Sequence, residues 1–217
     1  MKTIIYSLIA VIVFGIVASG FKTKTIQKNS ILVQCVDKSI SSSLFSQSAA
    51  VISNRLKDFC PGFFELRSIP EKRQIEVQFA NVSDTRTIEN LILNKGKLAF
   101  YENVNHKEIP AGENQPILTS ADIANIKFSK DETSDNCSLE ISFKESAIGI
   151  WSEASKRNLN KEIAIVIDNK VIYSPVMKTG FENGVCSIAG RLSLSEVKYF
   201  AAIGNNGELP VNLEIVK

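Results

Sequence analysis

The chain has 217 residues, 44% of them hydrophobic and 22% charged, with 11 glycines and 6 prolines. That composition excludes a disordered, collagen-like or low-complexity protein, and the length suits one large domain or two small ones. Twenty-five basic against 23 acidic residues give a formal charge of +2, and no basic stripe stands out, so nucleic acid is set aside as a partner.

Residues 1–20 form a separate object. From Ile4 to Ala18 only Tyr6 and Ser7 interrupt the apolar run, and no charge follows Lys2 until Lys22. Water solvates such a run poorly, so it belongs in a translocon or a bilayer. It reads as a signal peptide cut at Ala18-Ser19-Gly20, or as an uncleaved membrane anchor across residues 4–21; a buried core helix is the plainer alternative. The first two readings place the rest of the chain outside the cytoplasm.

Beyond the leader, Ile31 to Val36 is a β-prone run. Ser41-Ser42-Ser43 offers N-cap hydroxyls, and Phe45, Ala49, Ile52, Leu56 and Phe59 then recur at helical spacing before Pro61-Gly62. Phe63–Arg67 and the alternating Gln74–Phe79 read as strands around Pro70-Glu71-Lys72. Asp84–Lys95 predicts a helix carrying Ile88, Leu91 and Ile92, with Gly96 as its C-cap, and Lys97–Tyr101 a strand. This βαββαβ order is a split βαβ, ferredoxin-like arrangement over residues 30–102.

Residues 103–117, with Pro110, Gly112 and Pro116, form a polar joint. A second half spans 118–217. Leu118–Ile123 reads as a capped turn, Ile126–Phe128 and Ser138–Phe143 as strands, and Glu145–Asn158 as a helix with Ile148, Trp151 and Ala154 inward. Ile163–Ile167 is a continuous apolar run, as expected of a strand buried on both faces. Asp168-Asn169-Lys170 turns it into Val171–Tyr173, and Val185–Ile188 is another strand. Ser193 with Glu196 is a capping box for a last helix holding Val197, Phe200 and Ala201. Residues 211–217 close the chain as an alternating strand, assigned to this half or returning to the first. The expected class is α+β: two ferredoxin-like subdomains with antiparallel sheets and helices on one face.

Chemistry-bearing patterns are sparse. The four cysteines (Cys35, Cys60, Cys137, Cys186) contain no C-x-x-C, so a zinc site is set aside. In an oxidising compartment they are disulfide candidates, with a local Cys35–Cys60 bridge conceivable and Cys137 and Cys186 on strands that could face each other; buried thiols are the alternative. His106, the sole histidine, reads as a loop imidazole, and Asp131 with Glu132 as a solvated turn. No G-x-S-x-G or phosphate-cradling loop is present, so no catalytic residue, metal or cofactor is assigned and an enzyme is not expected. Asn81-Val82-Ser83 and Asn136-Cys137-Ser138 match the glycosylation sequon, a weak signal.

The C-terminal half carries a sharper signal. Glu162–Met177 (EIAIVIDNKVIYSPVM), Val185–Ile203 and Gly207–Lys217 resemble, in order, motifs of the first extracytoplasmic domain of SecD, a subunit of the bacterial SecDF protein-export accessory. Asp168-Asn169 stands for the family's Asp-Gly turn and Ser174-Pro175 for its Ala-Pro. Ile188-Ala189-Gly190, Ser195-Glu196-Val197 and Gly207-Glu208-Leu209-Pro210 fill the following motifs. Leu118–Ile123 resembles the L-T-G-A-D turn, Asn54-Arg55-Leu56 the R-R-L helix and Gly96–Phe100 the G-K-x-A strand. Leu192 stands where the family has an aromatic, and Gly204 should weaken the last helix.

The resemblance implies a base over 30–102 and a head over 118–217. SecD continues into membrane helices that carry proton-coupled action. This sequence ends at Lys217, so the expectation is a stand-alone head and base, tethered at most by its N-terminal segment. The implied role is non-catalytic: binding exported or unfolded polypeptide outside the cytoplasm, with Sec machinery as a further partner. The apolar loop Tyr173, Pro175, Val176, Met177 and Phe181 is the candidate polypeptide contact, against the alternative that it packs on its own domain. An envelope structural or inhibitor-type module with one fixed protein partner is the second reading.

Overall fold

In a computed structural model of the chain, the described residues are 28–60, 64–80, 84–102, 104, 115–132, 136–181 and 183–216. The leader 1–20, His106, most of the joint and the Asn81 sequon lie outside them. The first half supplies β1 (Lys28–Cys35), α1 (Ser42–Phe59), β2 (Phe64–Ile69), β3 (Gln74–Ala80), α2 (Thr85–Leu93) and β4 (Leu98–Glu102). The second supplies β5 (Leu118–Thr119), β6 (Ile123–Lys130), β7 (Cys137–Phe143), α3 (Glu145–Arg157), β8 (Ile163–Ile167), β9 (Lys170–Tyr173), β10 (Val185–Leu192), α4 (Leu194–Asn206) and β11 (Leu213–Ile215). The class is α+β, and no helix among the described residues is long and apolar enough to cross a membrane.

Local chemistry accounts for the helix ends. Ser41 Oγ accepts from the Leu44 N–H at the start of α1, and Asp84 accepts from Thr87 at the start of α2. Ser193 and Glu196 form a reciprocal capping box on α4, and Thr119 with Asp122 does the same on the 3₁₀ turn between β5 and β6. The apolar stripe of α1 is buried as its spacing requires, and Arg55 and Ser48 are buried with it.

Strand pairing departs from one sheet per half. The strands fall into three antiparallel sheets, ordered β11-β1-β3-β2, β10-β7-β6 and β5-β4-β8-β9. The expected first unit of residues 30–102 is corrected at its last strand. β4 pairs residue for residue with β8, from Leu98 opposite Ile167 to Glu102 opposite Ile163. The edge position beside β1 is filled by β11, with Val33 opposite Ile215. The physical reason lies in burial: Leu98, Ala99, Phe100 and Tyr101 are all buried, so β4 needs cover on both faces, which a sheet wet on one side cannot give. One core then runs through both halves, and a small second cluster of Ala99, Tyr101, Ala164 and Val166 covers the other face of the β4–β8 pair.

Gly204 has a packing role. A Cβ there would overlap Ile126 Cδ1, so the glycine lets α4 lie close on β6, and the helix runs on through it to Asn206. Its neighbour Asn205 then binds the β6 backbone like an added strand, accepting from the Ile126 N–H at 2.7 Å and donating to its carbonyl at 2.9 Å.

Candidate functional site

The sequence's candidate loop begins at the β8–β9 hairpin. Asp168 and Asn169 both have positive φ (50° and 66°), the two-residue turn whose twist suits a hairpin. The Asp168 carboxylate accepts from the Gly96 and Lys97 N–H groups, fixing the turn to the residues before β4. The chain leaving β9 stays pinned: Pro175 O accepts from the Ile163 N–H, Met177 N–H donates to Lys161 O, and Met177 O accepts from the Asn160 N–H.

That pinning sorts the candidate residues. Met177 is buried, at 3% exposure, and supports the loop from beneath. Phe181 donates its N–H to Ser155 Oγ and lies 6.4 Å from Trp151, at the margin of an aromatic group with Phe100 and Phe143. Tyr173 and Pro175 are half-buried, whereas Val176 is 40% exposed. Ile172, which sequence reasoning did not single out, is 46% exposed. Its position on an edge strand directly after the turn was the available signal.

Beneath Ile172 and Tyr173 lies an apolar cleft of about 110 Å³, walled by Leu139, Ile165, Ile188, Leu192 and Phe200. Leu192, at a position where an aromatic is the family pattern, is part of this wall. Glu196 is the cleft's sole ionisable carboxylate; hydrogen bonds from the Ser193 hydroxyl and N–H hold it below the usual carboxylate range. The cleft can take an apolar side chain. A wider cavity of about 620 Å³, beside Lys38, Ser42, Lys72 and Arg73, is open and polar, and the Arg73 guanidinium already lies 5.7 Å from the Phe45 ring.

A second centre escaped the sequence reading. Arg55 is fully buried, and its guanidinium donates to the carbonyls of Leu91, Asn94, Lys95 and Gly207. Burial pushes its pKa down to about 10, against Tyr199, Asp168 and Glu208, which favour the charge. The acceptors lie at the C-terminal ends of α2 and α4, where helix dipoles concentrate negative potential. Gly96, at φ 77°, leaves room for it, since a Cβ would overlap Arg55 Nη2. At the far ends of α2 and α4, Asp84 and Glu196 share one surface cavity. The two helices therefore run side by side in the same direction, an anion at each N-terminus and one shared cation at the C-termini.

The cysteines are buried and free. Cys137 lies opposite Leu192 and Cys186 opposite Ile141, so the two sit four positions apart along β7. At roughly 3.3 Å per residue that separation exceeds disulfide reach, which corrects the idea that they face each other. Burial raises the Cys186 thiol to about 12, which disfavours a reactive thiolate. Asp131 and Glu132 are exposed near the β6–β7 turn, and Asn136 of the second sequon sits just before β7.

Residues 98–211 match the family model of the SecDF P1 head subdomain. SecD of Acidaminococcus fermentans is 29% identical over 146 residues, which is 67% of this chain and 33% of that protein. SecD of Calditerrivibrio nitroreducens is 25% identical over 205 residues, covering 79% of this chain and 39% of its own length. SecDF of Thermus thermophilus is 28% identical over 102 residues, 47% of this chain and 14% of that protein. The chain thus spans well under half the length of these relatives. A solved structure described as a membrane component SecDF that enhances protein export superposes with a TM-score of 0.61 at 21% identity, over 87% of this chain and 98% of that one. SecDF in its super-membrane-facing form gives 0.62 at 19% identity, over 88% of this chain and 30% of that one. At those identities the superpositions establish the fold alone.

Proposed function

The chain belongs to the SecDF P1 head family, and on that premise we propose that it is an extracytoplasmic protein-export accessory domain that binds extended polypeptide without catalysing a reaction. The observation that carries the reading is the cleft under Ile172 and Tyr173, apolar and open at one side, followed in the chain by exposed Val176 on a loop whose backbone is held in place. A pre-shaped apolar pocket beside an edge strand suits an extended chain that inserts one side chain at a time. The apolar leader supports a site outside the cytoplasm, whether cut or kept as an anchor, and Sec machinery is the further partner the family suggests.

A photo-crosslinking residue at Ile172 in growing cells tests this, with Glu140 on β7, also exposed, as the control position. Many unfolded precursors captured at Ile172 and few at Glu140 support the reading. Capture of one folded protein instead supports an envelope module with a fixed partner. Equal capture at both positions removes the cleft from the argument.

A further inference from the structure

We propose that β2 is a self-complementary edge through which two copies of this chain join their first sheets into one. Strand β2 ends the order β11-β1-β3-β2 and pairs with β3 without a bulge, from Phe64 opposite Phe79 to Ile69 opposite Gln74. The backbone phase follows from one bond: the Cys35 N–H donates to Arg73 O. In an antiparallel ladder the bonding direction alternates residue by residue. Val33 and Ile31 therefore bond with Ile75 and Val77, leaving Gln74, Glu76 and Gln78 to bond with β2. Their partners Ile69, Arg67 and Glu65 turn their backbone groups inward, so Phe64, Leu66 and Ser68 aim N–H and C=O at the open edge. Among the described residues nothing bonds those outward groups.

The side chains select the occupant. Phe64-Glu65-Leu66-Arg67-Ser68 carries opposite charges at equal distances on either side of Leu66. When two copies meet antiparallel with Leu66 opposite Leu66, Glu65 of each faces Arg67 of the other, and opposite charges directly across a ladder are stabilising. Phe64 then faces Ser68, and every facing pair of outward residues exchanges both backbone bonds. Glu65 and Arg67 are exposed and make no ion pair among the described residues; Glu76, across β3 from Arg67, accepts from Ser30 and Gln78. β2 carries no proline and no lysine, the usual guards of an edge. A one-residue slip would turn the apolar side chains to the wrong face, and a two-residue slip would set Glu65 on Glu65 or Arg67 on Arg67, so the centred register is favoured. Facing residues share a sheet face, so half-buried Phe64 and Leu66 extend the core side across the junction. With one strand from each copy the interface stays in the small class, below about 1,200 Å², and dimerisation depends on concentration. None of this rests on the polypeptide-binding reading.

Sedimentation of the full-length chain in mild detergent, over a wide concentration range, tests the pairing. The expected result is a monomer–dimer equilibrium weakened roughly tenfold by Glu65→Arg or Arg67→Glu alone, since each reverses both cross-strand ion pairs. An equimolar mixture of the two variants regains the dimer, and so does the double variant Glu65→Arg/Arg67→Glu, whose pairing is restored with the signs exchanged. A chain that stays monomeric throughout overturns the proposal. So does a dimer indifferent to the single reversals, or a double variant that fails to regain it while its circular dichroism matches the parent.

Discussion

Arg55 Nη2 donates to Gly207 O at 2.6 Å across 152 residues of sequence, joining the first helix to the end of the last. The same guanidinium holds three carbonyls at the end of α2, so one side chain ties two helix C-termini together, and of its four acceptors Lys95 O also takes the Leu209 N–H. Removing it leaves buried acceptors empty.

Arg55→Met is expected to lower unfolding free energy by about 3 kcal/mol or more, because several buried carbonyls lose their donor together. Arg55→Lys should recover little, since an ammonium point cannot span acceptors arranged for a planar fork. Urea unfolding of the three proteins reads this directly. A loss below about 1 kcal/mol for Arg55→Met would show that the clamp contributes little.

Glycine-to-alanine changes separate space from backbone strain. Gly96→Ala meets Arg55 and must adopt a positive φ, and Gly204→Ala meets Ile126, so each should cost about 1–3 kcal/mol. Gly207→Ala has open space but sits at φ 70°, ψ −165°, a region essentially reserved for glycine, so backbone strain alone should cost about 1–3 kcal/mol. Gly149→Ala, in α3 with nothing nearby, should stabilise by about 0.5–1 kcal/mol. Thermal melts of the four variants give the order, and a destabilising Gly149→Ala would contradict the packing described.

Stability should fall on acidification. Hydrogen bonding from Arg157 holds Glu102 below the usual carboxylate range, Thr87 does so for Asp84, and Ser193 for Glu196. A carboxylate whose folded pKa is depressed contributes stability above its unfolded value, near 4, and loses it as pH drops through the folded value. Melting temperatures between neutral pH and strong acid should therefore decline below about pH 4. Glu102→Gln and Glu196→Gln each flatten that decline, and an unchanged slope in both would refute the assignment.

All four thiols should be silent in the native protein. Alkylation without reductant is expected to label none rapidly when folded and all four once denatured, with Cys186 the most protected. A reductant-dependent mass shift in the protein isolated from cells without reductant would show a bridge instead.

In the head, Ile172→Glu should abolish precursor crosslinking from a probe at Val176 while changing stability by no more than about 0.5 kcal/mol, as is usual for exposed positions. Retained crosslinking would move the contact elsewhere on the surface.

The sequence by itself determined what short-range chemistry can encode. Caps at Ser41, Asp84 and Ser193, the apolar stripe of α1, the doubly buried run of β8 and the Asp168-Asn169 turn all follow from residues within a few positions of each other. The order of motifs from Asp168 to Pro210 was enough to expose the family resemblance. Only the tertiary structure decided partners. The unbroken apolar stretch Leu98–Tyr101 carried the same sign of double burial as Ile163–Ile167, yet nothing local says that β8 is its neighbour or that β11 takes its place beside β1. Arg55 occupies a helix position open to most long side chains, and its role exists only where the ends of α2 and α4 converge. Gly204, a flaw by helix propensity, became a fit once β6 lay against it. Periodicity reports which face is buried; which strand, carbonyl or methyl group meets that face depends on contacts distant in sequence, and those are settled when the whole core closes.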